Sequence, residues 1–250
     1  MPTVISPGKD TDLIQLDLAE LGAGESLEKT PDDEVLVVVL SGVVDVEVDG
    51  KSLGSAGGRA NVFEAPGDAI YVPPRSALRL SASSAAELAI ASAPIDDNPP
   101  GKARVIRPSD QEIAERGEGN WSRSVRTILG PDDAAGRLLV GETINPPGNW
   151  SSYPPHKHDT HNPPHEVQLE EVYLFKLAPE GGFGIQLLYD GDRQDAFAVR
   201  DNDVAAIKSG YHPVVGAPGY SLYYLWVMAG NGRQMIPALD PQHAWVQTGR

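Results

Sequence analysis

Short apolar runs, interrupted by glycine, proline and aspartate about every eight to twelve residues, confine this chain to an all-β fold. The 250 residues include 26 glycines and 22 prolines, too many breakers for long helices. Strands are expected at DEVLVVVLSG, VVDVEVDG, NVFEAPGDAIYVPP, ALRLSASS and AELAIASAP, and again at SRSVRTILG, GRLLVGETI, EVYLFKLA, GGFGIQLLYDG, DAFAVRDNDVAAIKSG and GYSLYYLWVMAG. Val44, Val46 and Val48 alternate with Asp45, Glu47 and Asp49, which puts one face in a core and the other in water. Residues 96–120 change character toward proline and charge, with a short helical hint at SDQEIAERG, where Ser109 would cap and Glu112 would close a capping box. Two tandem β-barrels follow as the expectation, an N-terminal one with its connector over 1–120 and a C-terminal one over 121–250. The pattern of strand, acidic turn, strand and proline-bearing turn recurs loosely in both.

Composition narrows the function classes. With no cysteine, disulfides, thiolate metal sites and cysteine nucleophiles are excluded, and a cytoplasmic location is compatible. A net charge of −15 argues against nucleic acid, because a phosphate backbone is bound by lysine and arginine that displace its counterions. The longest apolar runs, VLVVVL and LYYLWVMA, are too short to span a bilayer, and the N-terminus lacks a cationic segment leading into an apolar one, so a soluble protein without membrane contact is expected. Seven of the twenty basic residues fall between Lys102 and Arg137, a local positive patch suited to an anionic small molecule, or else a solvated connector.

The chemistry concentrates in SSYPPHKHDTHNPPHEVQLEEVYLF. His156 and His158 are two residues apart, so on a strand both imidazoles leave the same face. Glu171 heads the apolar run EVYLF, and His212 lies in SGYHPVV. Three neutral imidazoles and one carboxylate make a nitrogen and oxygen donor set for a divalent first-row metal, with positions left open for substrate. Zn, Mn, Fe, Co and Ni all suit such donors. The plainer alternative is a histidine-rich polar turn, since His161 and His165 fall in the same stretch. Every histidine lies at or beyond residue 156, so the N-terminal barrel cannot assemble an imidazole site and is expected to be structural or to form a dimer contact.

H-x-H, a glutamate entering the next strand and a later histidine after a glycine resemble the cupin metal site. RGEGNWSRSVRTIL, PPGNWSSYPPHKHD, LEEVYLF, GFGIQLLY, GYHPVVGAPGY, YYLWVMAG and DPQHAW closely resemble, in order and spacing, the 5-deoxy-glucuronate isomerases of inositol catabolism. That resemblance implies a bicupin of two jelly-roll barrels with short helical connectors, metal ligands at His156, His158, Glu171 and His212, and an aldose–ketose conversion of 5-deoxy-glucuronate to 5-dehydro-2-deoxy-gluconate. Glu171 is preferred over Glu170 because the family ligand directly precedes V-Y. Leu187 stands where the family commonly has arginine, and Trp226 departs from its Y-L-N-V.

Such a reaction removes a proton beside a carbonyl and returns it to the neighbouring carbon, with charge developing on oxygen, so a Lewis-acid metal suffices without an organic cofactor. Glu142 is the expected general base. Arg116 and Arg123, with Arg126 nearby, are expected to bind the sugar acid's carboxylate, and Gln186, Tyr173, Tyr211 and Tyr223 its hydroxyls. Lys157 should face away from the metal. A cupin dioxygenase using the same ligand set and a non-enzymatic sugar-binding cupin are the alternatives, and a homodimer paired through sheet edges is an open expectation.

Overall fold

The computed structural model describes residues 3–95, 101–230 and 232–248 and is almost entirely β. Its contacts resolve into two compact units, Met1–Gln111 with Ile128–Leu139, and Glu112–Thr127 with Val140–Arg250. The all-β expectation in two tandem units holds. The layers are open sheets stacked as two-layer sandwiches in the cupin manner rather than continuous closed barrels.

In the N-terminal unit a six-stranded sheet runs in the order Thr3–Ile5, Gln15–Leu21, Ala86–Ala93, Glu34–Ser41, Ala69–Val72, Arg104–Ile106. A four-stranded sheet runs Ser26–Lys29, Leu78–Ala82, Val43–Val48, Lys51–Gly57. Val35, Val37 and Val39 from the first sheet pack with Val44, Val46, Val48 and Leu80 from the second in one aliphatic cluster. The alternation at 44–48 thus points its valines into the core and leaves Asp45 and Glu47 exposed. Branched side chains fill the space between the two sheets.

The chain does not divide at a single break near residue 120. Residues 128–139 belong with the N-terminal unit, and the reason is Glu34, which is completely buried. Its carboxylate accepts from the backbone N–H groups of Gly136 (2.7 Å), Arg137 (2.5 Å) and Leu138 (2.7 Å) and from the Tyr71 hydroxyl (2.9 Å). Four donors compensate a buried charge that would otherwise be costly. Burial and the Glu34 charge also raise the Tyr71 phenol above its ordinary pKa, so it remains a donor.

The helical reading of SDQEIAERG is corrected. Pro108–Asp110 forms a single 3₁₀ turn, the Asp110 carboxylate accepts from the Arg107 N–H (2.9 Å), and Glu112–Arg116 is a strand paired antiparallel with Arg123–Leu129. Residues 96–100 of the expected connector lie outside the described residues. Edge pairing overrides a weak local preference here.

In the C-terminal unit a six-stranded sheet runs Glu112–Arg116, Arg123–Leu129, Leu139–Asn145, Ser221–Gly230, Leu169–Ala178, Val204–Ile207. A four-stranded sheet of Trp150–Ser151, Val214–Gly216, Gly184–Asp190 and Arg193–Val199 carries His212 on its margin. The pair His156–Lys157 and Ala238–Leu239 forms a two-stranded ribbon.

Candidate metal centre

His156 and Lys157 lie on the short ribbon and His158 follows it; Lys157 turns away from the imidazoles, and His156 lies outside the close group that His158 forms with Glu171 and His212. The Lys157 ammonium pairs with Asp159 and with Glu166 (3.4 Å). Glu171, on Leu169–Ala178, is held in register between Ile207 and Met228. His212 follows Gly210 and is fully buried.

The Nδ1 atom of each histidine faces a backbone carbonyl: Pro154 for His156 (3.3 Å), Leu169 for His158 (2.7 Å) and Gly210 for His212 (2.9 Å). A carbonyl only accepts, so in each neutral ring the proton sits on Nδ1 and the Nε2 lone pair is free. Two of these lone pairs converge on Glu171, whose Oε2 is 3.1 Å from His158 Nε2 and 3.2 Å from His212 Nε2. The His156 ring centroid lies 4.8 Å from that of His212 and 6.3 Å from that of His158. Donor atoms of His158, Glu171 and His212 lie within 4.8 Å of one another, a group able to hold a metal ion. His212 Nε2 is buried without a hydrogen-bond partner, which is the condition a cation would relieve. The donor set therefore fits a divalent metal.

Electrostatics follow the geometry. Burial would raise the Glu171 carboxyl, but the adjacent His158 and His212 rings outweigh it and hold the group down to about 2. Burial works against a charged His158, yet the neighbouring Glu171 carboxylate favours the charged ring and raises it above the ordinary imidazole value. At His156 burial dominates, reinforced by His212 and His158, and pushes the ring down to about 3.

The cluster opens into a cavity of about 420 Å³. Arg116, Arg123, Tyr173, His156, His158 and Glu171 line it as expected, joined by Val125, Thr143, Ser152, Tyr224, Trp226 and Met228. The Tyr173 hydroxyl is 2.7 Å from Ser152 Oγ, and burial raises this phenol well above its usual range. Arg123 Nη1 donates to the Trp121 carbonyl (3.1 Å), its guanidinium lies 5.7 Å from the Trp121 ring centroid, and its Nε is buried without a partner. Burial lowers the pKa of this arginine, while Tyr224 and Tyr173 act in the opposite sense. Arg116 pairs loosely with Glu112 (3.5 Å) and is largely exposed.

Four expected site residues are elsewhere. Glu142 is fully buried, but it accepts from the Tyr223 hydroxyl (2.8 Å) and lies 3.7 Å from Arg126 Nη1. Strand parity explains this: Val125, Thr143, Tyr224 and Trp226 face the cavity, so Arg126, Glu142 and Tyr223 face the other side of the sheet. Neither the general-base assignment for Glu142 nor the substrate contact for Tyr223 fits that placement. Gln186 is fully buried and donates to the carbonyls of His212 (2.9 Å) and Leu187 (2.8 Å), so it braces the histidine-bearing backbone instead of reaching substrate. Tyr211 stacks on Tyr189 at 5.2 Å in a separate groove beside Asp240. His161 and His165 are exposed in a turn.

The cavity residues that sequence reasoning missed carried one usable signal. Tyr224, Trp226 and Met228 alternate along YYLWVMAG, so any one of them assigned to the cavity brings the other two. Ser152 had none. It adopts a left-handed conformation (φ 49°) after Trp150–Ser151, which no local pattern announces.

Comparison with known proteins agrees with this architecture. The model of the KduI/IolB family matches residues 3–246. The 5-deoxy-glucuronate isomerase of Geobacillus thermodenitrificans is 41% identical over 234 residues, 92% of this chain and 85% of that protein. That of Bacillus subtilis strain 168 is 36% identical over 248 residues, 97% and 91% of the two chains. Among solved structures, an IolB-like protein from Salmonella typhimurium superposes with a TM-score of 0.94 at 33% identity, covering 98% of this chain and 94% of that one. A Bacillus subtilis oxalate decarboxylase with Mn(II) centres shares the fold, with a TM-score of 0.66 at 11% identity over 91% of this chain and 71% of its own.

Proposed function

The chain belongs to the KduI/IolB family, and from that premise we propose that it is a metal-dependent aldose–ketose isomerase converting 5-deoxy-glucuronate to 5-dehydro-2-deoxy-gluconate in inositol catabolism. The observation that carries the reading is a single cavity with unprotonated imidazole nitrogens around Glu171 at one end and an underpartnered arginine at the other. A ketol sugar acid has matching ends, two adjacent oxygens and a carboxylate.

His156, His158, Glu171 and His212 would hold a divalent ion. When bound, it supplies Lewis-acid polarisation of the carbonyl and the neighbouring hydroxyl. Arg123 orients the carboxylate, and its planar fork suits two-point pairing. Arg116 adds positive potential at the mouth. Tyr173 and Ser152 offer hydroxyls to the substrate chain beside the imidazoles. Among the described residues Glu171 is the only carboxylate lining the cavity, so proton transfer between the two carbons does not use Glu142.

In this reading the enzyme acts in the cytoplasm on a small sugar acid. No helix of the described residues is long and apolar enough to cross a membrane. The apolar middle of the cavity also suits an oxygen-using cupin, and the arginine end favours the sugar acid. The deciding experiment is proton NMR of 5-deoxy-glucuronate with metal-loaded protein in deuterated water. Conversion with deuterium entering beside the carbonyl is expected. Absence of conversion with Zn, Mn, Fe, Co and Ni in turn, or oxygen consumption in its place, would overturn the assignment.

A further inference from the structure

The C-terminal unit has a second and larger cavity, a groove of about 960 Å³ over the outer face of its four-stranded sheet. Leu187 and Tyr189 line it, whereas Gln186 and Leu188, of the opposite parity, are buried on the inner face. The outer face of an antiparallel sheet in a sandwich meets water and is ordinarily polar. Here it is aromatic. Three of the four tryptophans in the chain, Trp121, Trp150 and Trp245, line the groove, as do three of the eight tyrosines, Tyr153, Tyr189 and Tyr211. Tyr153 joins Trp121 (ring centroids 6.3 Å apart) and Trp150 (5.9 Å) in one cluster, and Tyr189 with Tyr211 (5.2 Å) forms another. Trp245 opens the short helix Trp245–Thr248 and is 45% exposed.

Polar groups share the groove. Asp240 is buried, and its Oδ2 accepts from the Tyr189 hydroxyl (2.7 Å) while Oδ1 accepts from the Gln242 N–H (2.8 Å). Both oxygens are thereby fixed in place with acceptor capacity to spare. Asp192, Gln194 and Gln242 also line the groove, and its one arginine, Arg193, is paired with Asp195 (2.7 Å).

We propose that this groove is a second small-molecule site, which binds the ring of a neutral sugar or cyclic polyol. The inference goes beyond the isomerase reading and does not rest on it. The C–H bonds on the face of such a ring carry partial positive charge and pack on the negative faces of indole and phenol rings. Its hydroxyls donate to Asp240 and Asp192 and accept from the glutamine amides. The volume lies within the roughly 300–1,000 Å³ of small-molecule sites. It is far too large for an ammonium head group, the other ligand that aromatic rings beside carboxylates attract. An acid is disfavoured, because two carboxylates line the groove and its arginine is already engaged.

The test titrates the metal-loaded protein calorimetrically with glucose, maltose and myo-inositol, at least one of which should bind saturably. Trp245→Ala removes an exposed ring and Leu187→Arg fills the groove, and each should weaken that binding about tenfold or more with circular dichroism unchanged. The same titration followed by tryptophan fluorescence of Trp226→Phe, whose three remaining indoles all line the groove, should return the same Kd. No saturable binding of any of the three probes would overturn the site. So would binding that both groove variants leave unchanged, or that is silent in the fluorescence of Trp226→Phe. A dimer dissociated by Leu187→Arg, with no response to the probes, would assign the groove to a second copy of the chain instead. Turnover of 5-deoxy-glucuronate decides the isomerase reading separately, whichever of these results is found.

Discussion

Glu142 and Thr143 are neighbours in sequence and face opposite sides of one sheet. Thr143 touches the cavity, whereas Glu142 is buried with Tyr223 and Arg126 behind it. Glu142→Gln is accordingly expected to leave kcat within about threefold of wild type while lowering stability by roughly 3 kcal/mol, because it leaves a buried arginine without its countercharge. Steady-state kinetics beside urea denaturation separates the two effects. Alternation made it legible that only one of the pair faces inward, but not which. The decision comes from the Trp226 indole against Gly141, a contact across strands that are distant in sequence. The candidate ligand histidines were easier, since two of them share a strand-like H-x-H.

At the level of elements, the candidate metal centre is built by loops that are themselves tied down. Asp159 accepts from the Gly210 N–H (2.8 Å), and the Gly210 carbonyl accepts from His212 Nδ1 (2.9 Å). One carboxylate near the H-x-H pair thereby orients a ligand about fifty residues away in the chain. Asp159→Ala should weaken metal binding about 10- to 100-fold although no ligand is removed, as measured by competition with a chromogenic chelator; an unchanged affinity would dismiss this link. Glu34 plays the corresponding part for the segment 128–139. Glu34→Gln replaces one acceptor oxygen by a donor facing backbone N–H groups, with an expected cost of roughly 3 kcal/mol and faster hydrogen exchange at Gly136, Arg137 and Leu138. The strands rich in valine and leucine were readable because both propensity and burial favour them. Gln15–Leu21 was overlooked although Leu16 and Leu18 alternate with Gln15 and Asp17, and SDQEIAERG reads as helix only until its pairing with Arg123–Leu129 is known.

For the molecule as a whole, the N-terminal unit is a sandwich filled with aliphatic side chains and the C-terminal unit carries the candidate metal centre. Ligand binding to the folded state alone should raise stability, by about 2.7 kcal/mol at a free metal concentration one hundred times Kd. Differential scanning calorimetry should show Tm rising with added metal and returning on chelation, and a Tm indifferent to every first-row divalent ion would contradict a folded-state metal site. Two tandem units were legible from the repeated strand rhythm. Their boundary was not, because composition marks the connector and cannot show that Glu34 draws residues 136–138 back across it.

That backward reach sets an order of events during synthesis. A nascent chain halted at residue 120 already contains every strand of the N-terminal sheets, yet the Glu34 carboxylate still lacks three of its four donors. The ribosome must add about twenty more residues and clear them from its tunnel before the first half can finish folding, by which time it is already making the strands that carry the histidines.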